Sequence, residues 1–424
     1  MSEWKEYKLG EICKVKGGKR LPKGNNLTST PNSHPYIRVR DLGEKYLPIN
    51  NLEYVPNEVF PSIKNYIVDK GDLLLSIVGT VGLVSLVNEE LDKASLTENC
   101  VKIIPQKDII DNEFLYYFLK GNIGQEEIFK KIVGAVQPKL PIYNINDIEL
   151  NIPALPTQTA IAEILSSLDD KIELNNKINR ELENLAQTLF KRWFVEFEFP
   201  NENGEPYKSS GGEMVNSELG EIPKGWEIEL LSNLFDFLEG PGLRNWQYRL
   251  EGMPFINIRL IQNGDISKNN ISYISFEEFE EKYKHFCLKV GDLVLSTSGT
   301  LGKSAIVRQT HLPLMLNTSV IRFRPFEQFY LSYMYQYLQS KEFIDEVKAS
   351  ATGSVQLNFG PMHLKKIKLI KPSFIIIEQF ESALSPLYKQ IQHLRSENDE
   401  LIKTRNTILP KLISGELEVN QTIN

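Results

Sequence analysis

Lys70–Gly82 reads KGDLLLSIVGTVG, and Val290–Gly302 reads VGDLVLSTSGTLG. Gly71 and Gly291, which open the two GD pairs, stand 220 residues apart. In each stretch a Gly-Asp turn signal runs into a short apolar β-rich segment, then a serine, then a GT–G loop. Self-similarity at a fixed period decides architecture before any single element does, and a period this long makes the unit a half-molecule, not a solenoid repeat.

Moving outward, the same offset recurs with a drift only between 219 and 222. Trp4 matches Trp226. PYIRVRDL from Pro35 faces PFINIRLI from Pro254, and CVKIIP ending at Pro105 faces VIRFRP ending at Pro325. GAVQPKL from Gly134 faces GSVQLNF from Gly353, and IELNIP ending at Pro153 faces IKLIKP ending at Pro372. The first portion of each copy reads as short strands bounded by Gly, Pro and Asn, with short helices at EFLYYFLKGN and YLSYMYQYLQS.

The second portion of each copy reads as one long helix. Between Pro156 and Trp193 there is no Pro or Gly, and apolar residues fall at Ile161, Leu165, Leu168, Ile172, Leu182, Ala186, Leu189 and Trp193. The intervals alternate four and three, a heptad seam. Phe380, Leu384, Leu387, Ile391, Leu394, Leu401, Ile408 and Leu412 form a second seam in the same phase. Asn179 and Asn398 align on seam positions, where a buried Asn fixes register at a cost in stability. Two arrangements satisfy such seams: the helices pair, or each packs separately on its own domain. Equal length and identical phase favour an antiparallel pair. About 35 residues span about 50 Å. Folded back on each other, the helices hold the two globular portions at opposite ends of a rod longer than one turn of B-DNA, roughly 34 Å.

Composition bounds the rest. The chain has 424 residues, 41% hydrophobic and 24% charged, which predicts a soluble protein of two or more domains. No run approaches the roughly 20 apolar residues of a membrane span, and MSEWKEYKLG lacks a signal-peptide core, so the expected location is the cytoplasm. Cys13, Cys100 and Cys287 are too scattered for a disulfide framework or a zinc site, and the five histidines form no HxxxH pair. Net charge is −7, but residues 1–40 carry nine Lys/Arg against three Glu, a local basic balance on an acidic body.

No catalytic constellation stands out. SGTLGKS at Ser298–Ser304 resembles the end of a phosphate-binding loop, yet Thr297 occupies the place of the required first glycine and the aligned VGTVGLVS has no lysine. No GxSxG, HExxH or CxxC occurs, nor the FxGxG and [DN]PP[YF] signatures of adenine methylation. The chain itself therefore reads as non-catalytic, with no cofactor or metal of its own.

The joint between the copies, LFKRWFVEFEFP from Leu189 and GGEMVNSELGEIPKGWEIELL from Gly211, closely resembles that of the specificity subunits of type I restriction–modification systems. The likeness covers the whole chain. It implies an α+β architecture: two tandem mixed α/β target-recognition domains separated by two long helices forming an antiparallel coiled coil, with a pseudo-two-fold internal repeat. The expected boundaries are 1–152 for the first domain, 153–200 for its helix, 201–215 for a linker, 216–372 for the second domain and 373–424 for the closing helix. By the same resemblance each domain reads one half of a bipartite double-stranded DNA site and the helices set the unread spacer. Two methyltransferase subunits dock, and restriction subunits join when present. S-adenosylmethionine, ATP and Mg are then expected on the partner subunits. The assembled complex is expected to be an adenine-specific methyltransferase and an ATP-dependent endonuclease. Two other classes fit the repeat and seams: a coiled-coil scaffold that binds only proteins, and a self-contained DNA-modifying enzyme.

DNA contacts call for Lys/Arg and small Gly/Ser/Thr loops at phosphates, and for Arg, Asn, Gln, Ser and Thr at bases. The first-copy candidates are Lys19, Arg20, Arg38, Arg40, Ser76, Gly79, Thr80, Gln137 and Lys139. The second-copy candidates are Arg244, Asn257, Arg259, Ser296, Ser298, Thr300, Lys303, Ser354 and Gln356. Shared positions (Arg40 with Arg259, Gln137 with Gln356) suit phosphates or the fold. Divergent ones (Arg38 against Asn257, Ile77 against Thr297) suit different half-sites.

Overall fold

The computed structural model describes residues 4–134, 136–298, 302–350 and 359–419. The chain divides into two compact units: Met1–Leu174 with Asn398–Asn424, and Asn175–Glu397. In the first unit the strands are β1 (Lys5–Lys8), β2 (Cys13–Gly17), β3 (Leu73–Ser76), β4 (Val84–Leu86), β5 (Cys100–Pro105) and β6 (Glu149–Ile152), followed by the long helix α1 (Leu155–Phe190). The second unit supplies β7 (Glu227–Leu230), β8 (Phe235–Glu239), β9 (Leu293–Ser296), β10 (Ser304–Ile306), β11 (Val320–Pro325) and β12 (Lys368–Lys371), followed by α2 (Phe374–Ser414).

The two copies share sheet order and register. One antiparallel sheet runs β2–β5–β3–β4 and the other β8–β11–β9–β10. Leu73 opposes Ile103 and Ser76 opposes Cys100; 220 residues later Leu293 opposes Phe323 and Ser296 opposes Val320. β1 pairs with β6 and β7 with β12, so each domain's chain enters and leaves side by side and runs on into its long helix.

The apolar GD phrase is now explained. β3 is buried on both faces: Leu73 and Leu75 join a core with Phe114 and Leu115, while Leu74 joins another with Ile37 and Val68. Strand side chains alternate faces, so a strand covered on both sides is apolar at every position. In β9, Leu293 and Leu295 divide from Val294 in the same way. Before each strand, Gly71 and Gly291 take φ near +80° and +84°, a region that favours glycine. The following aspartate closes the turn: Asp72 accepts the Asp69 N–H at 2.8 Å, and Asp292 accepts the Lys289 N–H at 2.7 Å. Each carboxylate is buried and paired across the sheet, Asp72 with Lys102 at 2.8 Å and Asp292 with both ends of the Arg324 fork at 2.7 Å.

Each unit contains part of both long helices. In the first, Ile161 and Leu165 of α1 share a core with Leu412 and Ile413 of α2, and Arg405 pairs with Asp169 at 2.5 Å. In the second, the later half of α1 meets the earlier half of α2: Asn175 donates to Glu397 at 2.8 Å, and Phe190 lies 6.3 Å from Phe380. Early residues of one helix thus meet late residues of the other in each unit, an antiparallel pairing along the heptad seam. Asn179 and Asn398 are both buried. Among the described residues the Asn179 Oδ1 has no hydrogen-bond partner. Asn179→Leu is therefore expected to stabilise the second unit by about 1 kcal/mol while removing a register marker, readable as a raised denaturant midpoint.

The joint forms an aromatic plug. α1 ends in a wide turn over Lys191–Val195, which sets Trp193 and Phe194 against Phe380 at 5.5 and 4.7 Å between ring centres. Phe199 stacks on Trp226 at 4.9 Å.

Ion networks seat each domain on its helices. In the first unit Lys45, buried, reaches Asp170 of α1 at 3.1 Å, and Tyr117 donates to Asp169 at 2.7 Å. In the second, Asp265 accepts Arg308 at 3.1 and 2.7 Å, and Arg308 also donates to Ser396 of α2 at 3.0 Å. His311 Nδ1 accepts the Arg308 N–H at 3.0 Å, and its Nε2 lies 3.1 Å from Asp265. Burial alone would raise the Asp265 carboxyl. The His311, Arg395 and Arg308 donors outweigh it and hold the group at about 2, below the ordinary 3.8. A depressed carboxylate stabilises the fold above its unfolded value and loses that contribution as pH falls toward its folded value. The second unit should lose about 2 kcal/mol between pH 4 and pH 2 from this group, and Asp265→Asn should abolish that part of the acid profile in denaturation midpoints.

Among the described residues, no helix is long and apolar enough to cross a membrane, and no cluster of His, Cys, Asp and Glu could hold a metal ion.

Candidate nucleic-acid interface

In the first unit three of the basic candidates, Arg20, Arg38 and Arg40, converge on one cleft of about 570 Å³, lined also by Tyr36, Glu53 and Asn99 among others. Backbone pairing builds it. The segment after β2 runs beside Leu96, whose carbonyl accepts the Lys19 N–H at 2.8 Å, and the Lys19 carbonyl accepts the Tyr36 hydroxyl at 2.8 Å. The Tyr36–Glu53 strand pairing brings Glu53 under a short turn over Val39–Asp41.

Glu53 then organises the cations. Arg38 pairs with it, and Arg40 reaches it at 2.7 Å and Asp41 at 3.5 Å. Arg20 pairs with Glu98 at 2.5 Å, and the Lys19 ammonium stands 5.7 Å from the Tyr66 ring. Three guanidinium groups thus face three carboxylates, with Lys19 beside the Tyr66 ring. These arginines are half to mostly exposed, where an ion pair contributes only about 0–1 kcal/mol. Such pairs orient the forks yet exchange readily for a phosphate.

The loop candidates form a second group at the edge of the cleft. Ile77 N–H donates to the Asn99 carbonyl at 2.8 Å, and Leu140 N–H donates to the Ile77 carbonyl at 2.9 Å. Gly79, Thr80, Gln137 and Lys139 are exposed on these neighbouring loops. Ser76 is placed differently. It is fully buried, donates to the Thr80 carbonyl at 2.6 Å and accepts the Leu83 N–H at 2.8 Å, so its hydroxyl closes the loop from inside.

The second unit repeats the frame with other residues. Thr297 N–H donates to the Ser319 carbonyl at 3.0 Å, the counterpart of Ile77 and Asn99. Asn257 Oδ1 accepts the Arg259 N–H at 3.1 Å and caps the turn over Ile258–Leu260. Arg259 is exposed and makes no ion pair among the described residues. Arg244 is exposed beside a turn in which its N–H donates to Gln247 Oε1 at 2.8 Å, with Trp246 exposed next to it. Ser296 accepts the Lys303 N–H at 3.0 Å, and both Ser296 and Ser298 are buried. Lys303 is exposed at a cleft of about 430 Å³ with Gln262, Asn263 and Gln339. Thr300, Ser354 and Gln356 lie outside the described residues.

Sequence reasoning missed Glu53, which organises Arg38 and Arg40, because a pairing across a strand 15 residues away leaves no local signal. It also missed Asn25, Asn26 and Asn99 of the cleft wall, ordinary polar residues in loop text.

Known proteins agree with this frame. The family model described as type I restriction modification DNA specificity domain matches residues 1–184 and again 223–403. The HindI specificity subunit of Haemophilus influenzae is 27% identical, covering 98% of this chain and all of that protein. The MjaIX specificity subunit of Methanocaldococcus jannaschii is also 27% identical, covering 99% of this chain and 94% of its own. The crystal structure of an S subunit from M. genitalium superposes with a TM-score of 0.57 over 97% of this chain and 96% of that one, at 17% identity, a likeness of fold. With a family model matched once on each copy and full-length relatives on both sides, the chain belongs to the type I restriction–modification DNA specificity family.

Proposed function

We propose that this chain is the non-catalytic subunit that gives a type I restriction–modification complex its DNA sequence. Each domain, residues 1–152 and 216–372, reads one half of a split double-stranded site. The segments 153–200 and 373–424, each carrying one of the long helices, with the linker 201–215 between copies, set the unread spacer. Each copy docks one adenine methyltransferase subunit, and restriction subunits join when present, in the cytoplasm. S-adenosylmethionine, ATP and Mg belong to those partners. One observation carries the reading: two domains of identical sheet order and register place different polar residues at one matching turn, Arg38 against Asn257, while Thr297, opposite Ile77, is buried. A repeated frame with divergent reading residues is what two unlike half-sites require.

Mapping methylated adenines in the host with and without this gene tests it. Loss of one split motif supports the reading, and exchange of residues 1–152 or 216–372 then assigns each half. If the chain, reconstituted with the methyltransferase subunit, directs no methylation to a split motif, the scaffold reading replaces this one.

A further inference from the structure

We infer that Arg395 is a positioning residue that sets the angle of the second domain on its helices, and with it the tolerance for spacer length; this rests on the function proposed above. The hairpin Ile261–Gln262 with Asp265–Ile266 ends in a tight turn at Asn263 and Gly264, both with positive φ, as such two-residue turns demand. The turn plugs onto the helices. Arg395 of α2 donates to the Gly264 carbonyl at 2.7 Å and the Asn263 carbonyl at 3.0 Å, while the same fork holds Glu183 of α1 at 2.5 Å. A Cβ at position 264 would stand 3.0 Å from the Arg395 Nη2 and 3.2 Å from both the Glu183 carboxylate and the Tyr335 hydroxyl. One planar guanidinium therefore ties the domain to both helices, with no slack at the turn. Asp265 and Arg308 extend the tie to Ser396.

The first domain uses the aligned place with opposite polarity. Lys45, 219 residues before Gly264, sends a buried cation to the Asp170 carboxylate of α1. In the second domain the helix supplies the cation and the domain supplies the acceptors. The two copies share the position and not the residues, so docking at this point is a property of the seat. Buried ion networks add little net stability, and their best-attested use is to select one geometry. A reading head free to tilt would accept half-sites at neighbouring separations.

The test uses the chain assembled with its methyltransferase subunit and duplexes carrying the two mapped half-sites. Their spacers are native, one base pair shorter and one longer. Arg395→Met is expected to reduce the preference for the native spacer about tenfold, the scale of one charge-assisted contact, while binding to the second half-site alone stays unchanged. Arg395→Lys, which keeps the charge and loses the fork, should fall between. If Arg395→Met fails to assemble, the isosteric Asp265→Asn carries the same readout. A wild-type preference that both variants retain overturns the inference and leaves the proposed function standing. A wild-type complex with no spacer preference removes that function, and the inference with it.

Discussion

Replacing Arg38 and Arg40 together by alanine is expected to lower DNA affinity of the assembled complex by about a hundredfold and to flatten the slope of log affinity against log salt by about two. Both forks converge on Glu53, so their loss also leaves that carboxylate facing DNA without a counter-charge. Glu53→Gln separates the two explanations of this cluster. If the arginines serve DNA, neutralising Glu53 frees them, and affinity holds or rises. If the pairs serve only the fold, Glu53→Gln lowers the melting temperature and leaves binding alone. Anisotropy titrations across a salt series read both variants. An unchanged slope in the double variant would remove these residues from the interface.

Asp292→Ala should cost about 3–5 kcal/mol of folding stability, because removing one partner of a buried pair leaves the other charge uncompensated. The Asp292 side chain is almost wholly buried and holds the turn before β9 as well as the Arg324 fork. Arg322, buried on the same strand, adds to the damage. Burial and the neighbouring Arg324 already push its guanidinium below the ordinary value, and Asp292 is one of the two carboxylates opposing that. Asp72→Ala should cost less: Lys102 keeps Asp69 as a second partner at 3.2 Å. Equilibrium denaturation of the two variants side by side checks the order, and equal losses would contradict the argument.

What was legible in the sequence was periodic or repeated. The GD phrase, its turn and its strand follow from composition, since a doubly covered strand is apolar throughout. The seam was legible because each position recurs every three or four residues. Asn175, fully buried between Ile172 and Asn179, completes it. What stayed hidden has no period. Ser76, Ser296 and Ser298 sit in loop text that suits phosphate contacts equally well; only burial shows that they face inward. The Arg395 socket joins residues 131 and 212 positions apart, and the two copies diverge there, so neither spacing nor self-alignment could reveal it.

The discontinuity of the first unit has a consequence for biosynthesis. Its core needs Leu412 and Ile413 against Ile161 and Leu165, yet every residue of the second unit, through Glu397, leaves the ribosome before them. The half of the protein translated first is therefore the half completed last. Until the final helix turns emerge, the nascent first unit carries an open apolar flank.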